Sequence, residues 1–284
     1  MSEKRDHGGG LDAAITQFGG VRADWLDLST GINPVPYPMP TLPKDAWTAL
    51  PDEAAFTRLY ALARSFWNVP HEAAVIGATG ASAIIAALPR VIPKGEVCIP
   101  GPTYNEHGAA FAASGWRLGQ DPSHAMVAVH PNNPDGHIWK VTDLDATYTI
   151  IDESFCDIAP DQSLIHLATR PGTVVLKSFG KFWGLAGLRL GFAVGDPVII
   201  AKLTDLLGPW QISGPALAIG AEALADPAWA AETRLRLASD AVRMDTLLTN
   251  SGAELVGGTA LFRLYKVEDA KVAQDQLAKH RVWS

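Results

Sequence analysis

Cysteine is nearly absent: the 284-residue chain holds two, Cys98 and Cys156. Two thiols in so long a chain make no disulfide framework, which points to a reducing, cytoplasmic setting. Uninterrupted apolar runs are also short. None reaches the roughly 18 residues of a membrane-spanning helix, so no membrane partner is expected. Met1 to Asp6 is charged and lacks the apolar stretch of a secretory leader. Basic side chains are outnumbered, 23 against 30 acidic, for a formal charge of −7, and nowhere form a run of five. This argues against nucleic acid as a partner, because binding a phosphate backbone needs a positive footprint. No metal site is expected.

What is abundant is apolar surface, 48% of the residues, enough for a large core and for two domains sharing a cleft. The first 50 residues are rich in glycine and proline, with HGGG at 7–10 and NPVPYPMP at 33–40. Such a stretch is expected to be extended and turn-rich rather than helical, an arm lying over something else. From about residue 70 short apolar runs alternate with helical segments: AAVIG (73–77), EVCIPG (96–101), AMVAVH (125–130), TYTIID (147–152), TVVLK (173–177) and RLGFAV (189–194). Runs apolar on nearly every residue suit strands covered on both faces, and their alternation with helices predicts an α/β fold with a mostly parallel sheet. After residue 196 a long helix over 229–250, a strand over 260–265 and a helix from Val267 to His280 read as a smaller α+β domain. The expected division is an arm over 1–45, associated with the small domain, a large domain over 46–205 and a small one over 206–284.

Ligands of such sheets bind beyond the carboxyl ends of the strands. Polar residues fall there four times: Gly77 to Ser82, Asn132 with Asn133, Asp152 with Glu153, and Ser178 to Lys181. One polar strand end is ordinary; four in register suggest one shared site. Lys181 lies between Phe179 and the Phe182-Trp183 pair, where lost solvation would lower its pKa and make it an amine nucleophile. Arg189, beside Ser178, has the fork geometry to clamp a phosphate.

The segment SFGKFWGLAGLRLG (178–191) closely resembles the lysine motif of class I/II aminotransferases, enzymes of pyridoxal-5′-phosphate (PLP) with the type I fold. GATGAS (77–82), PNNPDG (131–136) and IIDESF (150–155) are similar to three further elements of that family, in the required order. The resemblance implies PLP as cofactor and Lys181 as its Schiff-base lysine. It implies Asp152 at the pyridine nitrogen, where a carboxylate keeps the electron sink protonated. Asn133 would donate to the phenolic oxygen, although NPDG equally favours an Asx turn. Gly80, Ala81 and Ser82 at a helix N-terminus, with Ser178 and Arg189, would hold the phosphate. Tyr104, in GPTYNEH, is similar in place to the aromatic that stacks on the ring, and a homodimer with its active site at the interface is implied.

Three departures stand out. Phe155 replaces the family's tyrosine, Leu50 replaces the tyrosine of its Y-P-D element, and no residue, Arg281 included, matches its C-terminal carboxylate-binding arginine. The opening, DHGGGLDAAITQFGG with WLDLSTGINPVPYP, resembles the cobalamin-pathway L-threonine-O-3-phosphate decarboxylase branch. That branch implies a phosphorylated amino acid as substrate, with His7 and Asn33 as substrate-binding residues. Histidinol-phosphate aminotransferase is the alternative on the same fold. A non-catalytic PLP-fold regulator is the alternative of another class, opposed by the presence of Lys181, Asp152, Asn133 and Arg189 and by the lack of a DNA-binding segment.

Overall fold

The computed structural model describes residues 7–284; the charged start, Met1 to Asp6, lies outside the described residues. The arm is more regular than its glycines and prolines suggest. It contains helix α1 (Leu11–Phe18), the short strand β1 (Leu26–Asp27) and one turn of helix, α2 (Asp45–Thr48), before α3 (Glu53–Phe66) begins the main body. The expectation of a non-helical arm is therefore corrected. Leu11, Ala14, Ile15 and Phe18 recur at helical spacing, and Leu11 and Ala14 bury against Trp25 and Ala278.

The main sheet has seven strands: β2 (Ala74–Thr79), β3 (Glu96–Cys98), β4 (Arg117–Gly119), β5 (Ala125–Val129), β6 (Tyr148–Asp152), β7 (Thr173–Ser178) and β8 (Leu190–Gly195). Their order is β2-β8-β7-β6-β5-β3-β4. Only β8 runs antiparallel to its neighbours, so the sheet is mostly parallel. Both faces are covered, as the continuous apolar runs require. Val127, Ile150, Val174 and Leu176 enter one core, while Met126, Ile151 and Val175 enter another, the period-two alternation of a pleated strand. Helices α4 (Ala81–Val91), α5 (Asn105–Ala113) and α6 (Pro197–Leu207) border the first core.

Helix α7 (Gly214–Leu224) is apolar nearly all round, and such a helix is buried. It packs along α3, and its Ala216, Leu217 and Ile219 join Leu59, Leu190 and Phe192 in one cluster. The same cluster takes in Tyr37 of the arm and Ala230 and Leu237 further along the chain. Beyond α7 lie the long helix α8 (Pro227–Asn250), the hairpin β9 (Glu254–Thr259) and β10 (Phe262–Lys266), helix α9 (Ala270–Lys279) and strand β11 (Val282–Trp283), which pairs in parallel with β1 of the arm. Among the described residues no helix is long and apolar enough to cross a membrane.

Candidate active site

The strand directions bring the polar segments to one edge of the sheet. β5, β6 and β7 end at Val129, Asp152 and Ser178. The antiparallel β8 starts at that same edge, directly after Arg189, and Ser178 lies opposite Gly191 and Thr79 opposite Leu190. There a cavity of about 590 Å³ opens, a volume suited to a cofactor with a small substrate. It is lined by His7, Ala81, Ser82, Tyr104, Asn133, Asp152, Ser178, Lys181 and Arg189, together with Ser29 to Ile32 of the arm.

Arg189 and the start of α4 form its anion-binding corner. Gly80 turns into the helix with φ +80°, a conformation glycine adopts freely. A Cβ there would lie 2.6 Å from Arg189 Nη2, so the absence of a side chain lets the guanidinium come close. Arg189 Nη2 reaches Ser82 Oγ at 3.4 Å and Nη1 donates to the Ala186 carbonyl at 3.2 Å. Ser178 Oγ accepts from Gly180 N–H at 3.2 Å. Free N–H groups of a helix N-terminus, a guanidinium and two hydroxyls are a complete donor set for a phosphate group.

Asp152 is 2% exposed. Burial alone would raise its pKa, but the His107 hydrogen bond and charge, with the two bonds from Ser154, hold it below the ordinary carboxylate value. His107 Nε2 donates to Oδ2 at 2.7 Å, and Ser154 donates to Oδ1 through N–H at 2.9 Å and Oγ at 2.5 Å. His107 escapes the sequence motifs. The signal available was its position three residues after Tyr104, where a helix puts both on one face. The two rings meet edge-on at 6.0 Å.

Lys181 behaves as expected, through different neighbours. Desolvation lowers its pKa, Asp152 acts against that, and Arg189 reinforces it. Phe179, Phe182 and Trp183 turn away into the core. The ring facing the amine is Phe155, whose centroid lies 5.1 Å from Nζ. Asn133 lines the cavity without a side-chain hydrogen bond among the described residues. The Asx turn considered for it is made by Asp135, whose Oδ1 accepts from His137 N–H at 3.0 Å and Asn132 Nδ2 at 2.8 Å. His7 reaches the cavity beside Tyr104 and bonds Glu106 Oε1 at 2.7 Å. Asn33 is not brought to the cavity: it is buried behind the lysine loop, with both ends of its amide engaged, while Gly80 meets the site only through its turn beside Arg189.

A second polar cluster lies beneath the site. His130, Glu153 and Cys156 hold potential metal-binding atoms within 4.8 Å of one another. The cation there is Lys177, whose ammonium donates to Glu153 at 2.5 Å, while Ser163 Oγ and Leu164 N–H occupy the rest of that carboxylate. Burial would lower the Lys177 pKa, but Glu153 and Asp157 hold it above the usual lysine value.

The sequence pattern of the family described as aminotransferase class I and II matches residues 117–283, more than half the chain. The chain belongs to this family. It is 36% identical to a threonine-phosphate decarboxylase of Pseudomonas aeruginosa, over 98% of this chain and 88% of that one. A threonine-phosphate decarboxylase of a Sinorhizobium species is 35% identical over 99% and 90%. The fold superposes with a TM-score of 0.71 on the histidinol-phosphate aminotransferase of Sinorhizobium meliloti, solved in complex with PLP, at 18% identity over 82% of this chain and 73% of that one. The fold is the type I PLP fold, and the protein is a PLP-dependent enzyme. The cavity fits that cofactor. It offers a phosphate corner that a Cβ at residue 80 would obstruct, a buried anionic carboxylate, and a lysine amine whose pKa is depressed.

Proposed function

We propose that this protein is an L-threonine-O-3-phosphate decarboxylase of cobalamin synthesis, acting in the cytoplasm as a homodimer. The similarity to threonine-phosphate decarboxylases over nearly the whole chain, arm included, carries this reading. It is supported by the arm's contribution to the cavity: His7, Gly8, Ser29 and Thr30 border it in addition to the phosphate corner at Arg189, giving polar groups for a second anionic substituent.

Lys181 would hold the cofactor through its amine, and Asp152, fixed by His107 and Ser154, would keep a proton on the ring nitrogen. Arg189, Ser82, Ser178 and the Gly80–Ala81 backbone would hold the phosphate, Asn133 would donate to the phenolic oxygen and Tyr104 would cover the ring. Bound PLP supplies an electron sink conjugated to the substrate's Cα. The residues that anchor the substrate would set its orientation in the cavity, and with it the choice between losing carboxylate and losing a proton. His7 and the Ser29-Thr30 turn would anchor the substrate phosphate. With its lowered pKa, the Lys181 amine would be able to accept or donate a proton at the face of the cavity it lines.

Both cysteines are buried and unpaired, which fits a reducing compartment. The homodimer is supported by an exposed apolar patch of Met39, Trp47, Leu50 and Trp210 around a hollow bordered by Leu188. Incubation of the PLP-loaded protein with threonine phosphate should release CO2 in proportion to substrate consumed. Transfer of the amino group from histidinol phosphate to an oxoacid, without CO2 release from threonine phosphate, would select the aminotransferase reading.

A further inference from the structure

The lysine loop is backed by the arm at three successive residues. Asn33 N–H donates to the Lys181 carbonyl at 3.0 Å, and Tyr37 N–H donates to the Trp183 carbonyl at 2.9 Å. Between them the Phe182 carbonyl accepts from the Asn33 side-chain Nδ2 at 2.9 Å. The arm lies so close that a Cβ at Gly184, which has φ +69°, would come within 2.8 Å of both Pro36 Cα and the Asn33 carbonyl oxygen. Asn33 is 2% exposed. Its Oδ1 accepts from Val35 N–H at 3.1 Å and from Arg236 Nη2 at 2.7 Å. With donors meeting Oδ1 and an acceptor meeting Nδ2, the amide has one satisfied orientation. Arg236 lies on α8, two residues from Arg234, whose guanidinium stands 5.2 Å from the Phe182 ring and whose Nε donates to the Asp157 carbonyl at 2.8 Å.

We propose that Asn33 is a positioning residue for Lys181, and that Arg236 of α8 holds Asn33 in that role. The Asn33 amide pins the backbone on the far side of the lysine from the cavity, so the direction in which the amine projects depends on it. Arg236 prevents the amide from turning over, because a reversed amide would set Nδ2 against the guanidinium and Oδ1 against the Phe182 carbonyl. The long helix α8 thereby reaches the backbone of the reactive loop through Asn33, beside the contacts that its Trp229 and Arg234 make with the Phe182 and Trp183 rings. This inference rests on reading Lys181 as the PLP-carrying lysine.

The test separates covalent from total cofactor in the holoenzyme. Total PLP is measured after denaturation, and the lysine-bound share after borohydride reduction. Asn33→Asp keeps an acceptor for Arg236 but removes the donor to Phe182; it should retain total PLP within twofold and lose at least threefold of the borohydride-fixed share. Arg236→Met, on a partly exposed helix position, should lose about threefold, and Arg236→Lys should recover most of it. In such a relay Asn33→Ala with Arg236→Met falls no lower than Asn33→Ala alone, since interacting residues are non-additive. A fixed share equal to wild type in folded Arg236→Met and Asn33→Asp overturns the proposal, as do independent, multiplying losses in the double variant. Lys181→Ala is the separate control: a covalent adduct surviving in it removes the lysine assignment itself, whatever the relay does.

Discussion

The Lys181 amine senses both Asp152 and Arg189, and both charges can be tested through it. Desolvation depresses the lysine, the Asp152 carboxylate pulls its pKa back up, and Arg189 pushes it down again. In PLP-stripped enzyme, the pH midpoint for capture of PLP by Lys181 should therefore lie below the roughly 10.4 of an ordinary lysine. Asp152→Asn should lower that midpoint further, since it removes the supporting anion, and Arg189→Met should raise it. Between the folded and unfolded values the unfolded chain binds more protons at this lysine, so its contribution makes stability rise with pH in that window. A midpoint unmoved by either substitution, followed by absorbance, would mean that the amine does not sense these charges. In the loaded enzyme Asp152→Asn has a second consequence. A neutral amide no longer stabilises a protonated ring nitrogen, and loss of a buried charge partner is commonly worth several kcal/mol. At about 1.4 kcal/mol per tenfold, turnover of threonine phosphate should fall on the order of a hundredfold or more. PLP affinity should fall less, because Arg189, Ser82 and Ser178 still surround the phosphate corner. Turnover near wild type would remove Asp152 from the role of ring-nitrogen partner.

At the scale of elements, the site depends on where strands stop and α4 starts. Gly80 makes that turn at φ +80°, with Arg189 Nη2 occupying the space a Cβ would need. Gly80→Ala should displace the guanidinium and strain the backbone by about 1–3 kcal/mol. The dissociation constant for PLP should rise about tenfold or more, measured by equilibrium dialysis, with the sheet intact by circular dichroism. An unchanged constant would mean that phosphate does not sit between α4 and Arg189. These same elements explain what could be read in advance. Apolar runs located six of the seven strands of the main sheet, because burial on both faces leaves few residues free to be polar. β4, beginning Arg117-Leu118, carries too little apolar pattern to be recognised, and α1 was hidden by the glycines on either side of its apolar stripe. The polar strand ends located the cavity because each marks where a parallel strand leaves the core. Residues acting through tertiary contacts were not legible. His107 reaches Asp152 across 45 positions, and Asn33 reaches the lysine loop across 149. Nothing local in the arm distinguishes an amide facing substrate from one facing the back of a loop.

The molecule as a whole presents one face that its own chain leaves uncovered. Met39 is 73% exposed, Trp47 69%, Leu50 64% and Trp210 53%. They border a hollow floored by Leu185, Leu188 and Ile219, on the segment that continues into Arg189. Large exposed aromatics beside an apolar hollow mark an association surface, and the proposed homodimer would use this face. A two-fold interface meets itself, so one substitution introduces its charge twice. Light scattering at micromolar concentration should give wild-type enzyme twice the 30.2 kDa chain mass, and Trp47→Glu or Trp210→Glu should shift it towards one chain. Because Leu188 directly precedes Arg189, separation should also loosen the phosphate corner. PLP affinity should therefore fall in the monomeric variants although neither tryptophan lines the cavity. A PLP-loaded wild-type monomer would remove the homodimer. Variants that stay dimeric would move the interface to another face, and monomeric variants with undiminished PLP affinity would show that the cavity holds its cofactor without help from the interface.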